Sequence, residues 1–263
     1  MSRPAYPSDL TDSHWEQLKD LIPAPKEGPQ DVKYERREIV NAMLYQKRTG
    51  CQWRFMPHDL PPWSIVKHYY YQWRDDGTFE RIHDILHSRV RAQAGRSEEP
   101  SLGIIDSQSI KTTEVGGPKG FDAGKKVKGR KRHVIVDVLG LLIVVFVTAA
   151  SVQDRDAVPR LLSEARATSS RLVNTLVDGA YTGDVVAKAS RETSIAVTMV
   201  KRPDIKGFVV VPKRWIVERS FGWMNRDRRL SKDYERTIAS SETWIRLTFI
   251  NIMTRTLAAQ ETS

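Results

Sequence analysis

Carboxylates are the side chains in this 263-residue chain whose type and spacing point most directly to chemistry. Asp106 closes the apolar run LGIID, Asp178 closes NTLVD, and Glu218 lies inside RWIVERSFGW. A short apolar, β-branched run reads as a buried strand, and an acid at its end sits at the rim of a sheet, where ligands gather. Oxygen donors from separate elements suit magnesium, which keeps several waters and needs few protein ligands. Two such ions about 4 Å apart can drive hydrolysis or transfer of a phosphodiester, one generating the nucleophile and the other stabilising the leaving oxygen. Glu218 stands among Trp215, Ile216, Val217 and Phe221, where a carboxylate needs a cation or a metal to face. Arg214 and Arg219 are its candidate partners, and Arg214, four residues earlier, shares its face on a helix. Asp137, inside an apolar run, is the main rival carboxylate, followed by Asp154 and Asp156.

Other catalytic chemistries are weakly indicated. His133 has no serine in a G-x-S-x-G turn to serve. The single cysteine, Cys51, excludes an intramolecular disulfide and a cysteine-rich zinc site, and suits a reducing compartment.

The formal charge of +10 and a pI near 9.7 point to a polyanionic partner, since each Lys or Arg that displaces a condensed counterion adds affinity for nucleic acid. That charge is concentrated. Between Lys111 and Arg132 eight Lys or Arg stand against two acids, and the glycine-punctuated run GGPKGFDAGKKVKGRKRH reads as a flexible loop able to clamp a phosphate backbone. Its candidate DNA contacts are Lys111, Lys125, Lys126, Lys128, Arg130, Lys131 and Arg132. A second cluster, Arg214, Arg219, Arg226, Arg228 and Arg229, surrounds Glu218. Trp223, in the same stretch, has two readings, stacking on an unpaired base or packing in the core.

The elements that must position these residues fall into two groups. The first hundred residues read as helices: LTDSHWEQLKDLIP after an N-cap at Thr11 or Asp12, REIVNAMLYQKRTG ended by Gly50, LPPWSIVKHYYYQWRDDG with proline in its first turn, and GTFERIHDILHSRVRAQ. A Pro- and charge-rich linker, PAPKEGPQDVK, separates the first two. Two helices joined by a short constrained connection suggest a helix-turn-helix-like unit, with Lys67, Tyr70 and Arg74 as candidate DNA contacts. After the polar stretch RAQAGRSEEPS the composition changes to strands: SLGIID, a hairpin hinged at Leu139 and Gly140, NTLVDGAY and SIAVTMVKR, with helices between and after them. The pattern predicts a helical DNA-binding domain over 1–97 and an α/β mixed-sheet domain over 98–263. No signal peptide is evident, and LGLLIVVFVTAA is too short to span a bilayer, so a soluble cytoplasmic protein without a membrane partner is expected.

Taken in order, YPSDLTDSHWEQLKDLIP, GCQWRFMPHDLPPWSIVKHYYYQWRDDGTFERIHDIL, IDSQSIKT, GKKVKGRKRHVIVDVLG, VDGAYTG and WIVERSFGWMNRDRRLSKDYE resemble the DDE transposases of bacterial insertion sequences, in the insertion-sequence-five group. The resemblance implies an RNase H-like catalytic core whose catalytic and metal-binding acids are Asp106, Asp178 and Glu218. It implies two Mg2+ ions, replaceable by Mn2+, and double-stranded DNA as partner, both transposon ends and target. It also implies a homodimer or larger synaptic complex working on the bacterial nucleoid. The Y-x2-R-x3-E-x6-K pattern of the wider superfamily is matched at Arg214 and Glu218 but has Val211 at the tyrosine position and Asn225 at the lysine position. The alternatives are an RNase H-like nuclease that does not join strands, and a transposase-derived DNA-binding protein with an inert core.

Overall fold

A computed structural model of the chain describes residues 3–24, 34–200 and 215–260. Most of the predicted linker after Pro23, together with Val211 and Arg214, lies outside the described residues.

The helical part begins with α1 (Asp12–Leu18), whose Thr11 cap accepts the His14 N–H while the His14 side chain accepts the Thr11 N–H. Helix α2 (Arg36–Thr49) ends at Gly50, which takes the left-handed conformation at φ 73° that closes a helix at least cost to glycine. A 3-10 turn at Trp53–Phe55 leads to α3 (Trp63–Asp75) and α4 (Thr78–Gln93).

The sheet is built from β1 (Leu102–Lys111), β2 (Gly120–Asp122), β3 (Val127–Val136), β4 (Leu142–Ala149), β5 (Asn174–Val177) and β6 (Ala196–Met199). Strand β1 pairs antiparallel with β3 and parallel with β5; β3 pairs antiparallel with β4, and β5 parallel with β6. The order across the sheet is therefore β4-β3-β1-β5-β6, with short β2 added to β3 beyond the end of β4. This is the mixed sheet expected from the sequence. The expected hairpin is present, with its turn at 137–141. At Gly129 three strands converge: it pairs with both Lys111 and Gly120, and an added Cβ would lie 1.9 Å from the Ile110 carbonyl oxygen.

Helices α5 (Val158–Thr168) and α6 (Asp184–Thr193) cover one face, packing on Ile105, Ile135, Val144 and Phe146. The neighbouring residues Ile104, Val134, Val136 and Val145 point to the other face, as the two-residue period of a strand requires. That face is covered by α7 (Trp215–Asn225), short α8 (Arg228–Ser231) and the 23-residue α9 (Ile238–Gln260), which packs against α1, α4 and β4. The same apolar cluster runs from Leu10 through Trp73 and Ile104 to Leu257, so the core crosses the turn near residue 97. A buried ion pair from Arg91 of α4 to Asp137 at the hairpin turn crosses there too.

Candidate active site

The parallel pairing of β1 with β5 sets the two aspartates. Ile104 pairs with Leu176, so two residues further on Asp106 and Asp178 continue at one level, on the face that Ile104 and Leu176 share. Strand β5 ends at Val177, and Asp178 opens a turn in which its Oδ1 accepts the Ala180 N–H at 2.9 Å. Asp106 departs from expectation, because β1 runs beyond it to Lys111, still paired with β3 after β5 has left. The acid marks the end of the parallel pairing rather than the end of its strand. Its Oδ1 accepts the Ser107 N–H at 2.7 Å, and both aspartates are half-buried.

Glu218 arrives from α7. Ile216, Val217 and Phe221 seat that helix in the cluster containing Ile104. Arg219 Nη2 donates to the Leu139 carbonyl at 2.8 Å and Ser220 Oγ to the Gly140 carbonyl at 2.7 Å, which pins α7 to the hairpin turn. Glu218 itself is exposed. Helix α7, which carries Glu218, packs on the same face of the sheet as Ile104, and among the described residues no three His, Cys, Asp or Glu stand close enough to hold a metal ion. The oxygen donors suit Mg2+ in kind.

Below Asp106 lies a polar network. Ser107 Oγ donates to Asp154 at 2.8 Å, Lys131 Nζ bridges Asp154 at 2.9 Å and Asp122 at 3.3 Å, and Lys125 Nζ donates to the Ser107 carbonyl at 3.0 Å. Burial works against ionisation of Asp122, but hydrogen bonds from Ser109 and the Lys125 backbone, with the Lys131 charge, bring its pKa down to about 2. Tyr181, on the opposite face, is buried. Burial first, then the charges of Asp106, Asp154 and Asp178, push its pKa well above the ordinary value, so its hydroxyl stays protonated. The spacing of the sequence flags Asp178 but carries no signal for Tyr181 or Ser107. Asp137, the main rival acid, is a structural clamp: it is fully buried, pairs with Arg91, and its Oδ1 accepts the N–H groups of Leu139 and Leu141.

The predicted DNA contacts divide sharply. Lys111, Lys125, Lys126, Lys128, Arg226 and Arg228 are exposed. Lys67 is half-buried with its ammonium over the Trp63 and Tyr71 rings, and Arg74 bonds to Asp75 and Ser240. Arg219 stacks between Trp215 and Trp223, and Trp223 is half-buried against the core. Five residues are not surface contacts. Tyr70 is buried on the inward face of α3, stacked on Trp244 at 4.6 Å, with its hydroxyl on the Ser240 carbonyl. Arg130, Lys131 and Arg132 lie in strand β3, which begins at Val127, so the end of the basic run is covered strand rather than loop. There Arg130 pairs with Asp233 at 3.0 Å, and Arg132 donates to the Leu230 carbonyl at 2.9 Å. Arg229 is held by Glu235 at 2.6 Å and by the Cys51 carbonyl. Arg214 lies outside the described residues.

Comparison with known proteins assigns this arrangement to a class. Residues 97–253 match the family described as "Transposase DDE domain", and the chain belongs to that family. Residues 10–83 match a second family, described as "Putative transposase of IS4/5 family". Among curated proteins, the chain is 28% identical over 140 residues to the "Putative transposase for insertion sequence element IS402" of Burkholderia cepacia, covering 51% of this chain and 65% of that protein. It is 29% identical over 77 residues to "Uncharacterized protein y4sN" of Sinorhizobium fredii, covering 29% of this chain and 62% of that one. The matches thus span a little under two thirds of these two relatives. A solved structure, the Mos1 mariner paired end complex with Mn, aligns with a TM-score of 0.34 at 11% identity, over 94% of this chain and 84% of that chain. A likeness of that size adds nothing to the assignment.

Proposed function

We propose that the chain is a transposase that binds the terminal inverted repeats of its own element, cuts the DNA there and joins the freed end to target DNA. The observation that supports this reading is the parallel register of β1 and β5, whose last pair, Ile104 with Leu176, falls two residues before Asp106 and Asp178. Family membership supports the same assignment.

Asp106, Asp178 and Glu218 would hold two Mg2+ ions, with Mn2+ able to replace them. When bound, such ions supply Lewis-acid stabilisation of the phosphodiester and activation of the attacking oxygen. The chain's own residues do the rest. Water attacks phosphorus at the element's end and a 3'-hydroxyl leaves; that hydroxyl then attacks a phosphodiester of the target and displaces a 3'-oxygen. Lys125 and Lys126 on the loop between β2 and β3, and Lys128 at the start of β3, all exposed, hold the phosphate backbone beside Asp106. Lys125 is tied to the site through the Ser107 carbonyl. The hydrogen bonds at Asp106 and Asp178 fix each carboxylate before DNA arrives. The helices of residues 1–97 read the repeat, and two copies of the chain pair the two ends, on nucleoid DNA in the bacterial cytoplasm.

The test uses pre-cleaved element ends and a supercoiled target in Mg2+. Joined products are expected; cleavage of uncut ends without any joining assigns a nuclease instead, and binding without either assigns an inert core.

A further inference from the structure

Away from the three acids, a cavity of about 680 Å³ opens where α2, the end of α7 and α9 meet the N-terminal segment. Its size is that of a small-molecule site. Lys47, Arg48, Arg226 and Arg255 contribute positive charge to its lining, and among the described residues Asp227 is the one carboxylate there. That carboxylate is already engaged: its Oδ2 receives Lys47 Nζ at 2.7 Å and the Thr248 hydroxyl at 3.0 Å. Arg48 is oriented by the Arg226 carbonyl at 2.6 Å, while Arg226 and Arg255 are exposed. Trp223, Leu44 and Ile252 make another wall apolar. Ser8 also lines the space; it is 9% exposed, and among the described residues its Oγ has no hydrogen-bond partner. A buried hydroxyl in that condition awaits a polar group.

An excess of guanidinium charge beside an indole and aliphatic wall matches one ligand chemistry, a phosphate joined to a flat aromatic base. We propose that this cavity binds a single nucleotide, with its phosphate on Arg226 and Arg255 and its base against Trp223. The inference rests on the reading that DNA is the substrate, and it gives α7 a second role. Glu218 and Trp223 share that helix, so a nucleotide held at its end is tied to the acids at its start. The nucleotide comes either from an unpaired strand end or from the free pool.

Equilibrium binding of the full chain to a fluorescent duplex, blunt or carrying a two-nucleotide overhang, tests this. The overhang is expected to bind about tenfold more tightly, and Arg255→Ala, at an exposed position outside the predicted DNA contacts, to remove most of that preference while leaving blunt binding nearly unchanged. Trp223→Leu should weaken the overhang in the same direction. Competition by free deoxythymidine monophosphate identifies a pocket open to the nucleotide pool, and its absence one reserved for strand ends; both support the site. An overhang preference fully retained in Arg255→Ala overturns it, as does competition by inorganic phosphate equal to that by the nucleotide. Preference without any DNA cutting leaves the pocket standing and removes the transposase reading instead.

Discussion

The sheet and helix α7 carry the same kind of side chain in different ways. In the sheet, the backbone register of β1 and β5 levels the residues just before Asp106 and Asp178, because parallel strands keep equivalent residues level whatever the side chains do. On α7, Glu218 is exposed, and its position depends on how Ile216, Val217 and Phe221 seat the helix and how Arg219 and Ser220 fasten it to the hairpin turn. The difference teaches that two acids are preset by the fold while the third is placed by packing. The two halves of the site should therefore respond differently to change.

The largest expected effect is loss of cleavage in Asp106→Ala and Asp178→Ala with repeat binding retained, measured by end cleavage and by mobility shift. Glu218→Ala should abolish cleavage as well. What sharpens the contrast is an indirect change: Ser220→Ala removes a buried hydroxyl that holds α7 to Gly140, at a cost of about 1 kcal/mol, and should lower cleavage by moving Glu218 alone. A Ser220→Ala enzyme that cuts at the full rate breaks the link between packing and the third acid.

Buried strand against exposed surface also divides the basic residues. Arg130 and Asp233 form an ion pair with each side chain 1% exposed, and truncating one partner of such a pair strands a buried charge. Arg130→Ala is expected to lower unfolding free energy in urea by about 3 to 5 kcal/mol. Replacing Lys125, Lys126 and Lys128 by Ala should leave stability within about 0.5 kcal/mol. The triple variant should instead bind DNA more weakly, with a salt dependence flatter by up to about 0.9 per lost phosphate contact.

A further effect is on pH. Burial brings both His83, in the helical layer, and His133, in the sheet, down to a pKa of about 4. The unfolded chain takes up those protons near pH 6.5 while the folded chain resists to about 4, so stability is full above 6.5 and is lost as pH falls towards 4. Each proton contributes at most roughly 1.4 kcal/mol per pH unit. Urea midpoints at about pH 7 and about pH 5 should differ accordingly, and His133→Gln should remove about half of the difference.

Much of this was legible in the residues. Apolar runs located the strands and the hairpin, because buried strands leave a recognisable apolar pattern. What the sequence hid was depth. The run KVKGRKRH looks uniformly basic, yet β3 begins inside it, and its cations Arg130, Lys131 and Arg132 are buried on partners as distant as Asp233 and Leu230. Tyr70 fails for the same reason: a basic, aromatic helix presents one face inward, and only tertiary packing against Trp244 says which. Asp137 shows the converse, an acid just past the end of an apolar strand that is satisfied by Arg91 and two backbone N–H groups rather than by a ligand.

The central claim, that Asp106 and Asp178 act as a pair on a divalent ion, is tested most directly by strand joining with Asp178→Cys in two metals. A thiolate is a soft ligand that magnesium accepts poorly and manganese accepts better. No joined product is expected in Mg2+ and partial recovery in Mn2+ for this variant, with the original chain active in both. Joining by Asp178→Cys in Mg2+ at the rate of the original chain would contradict the claim.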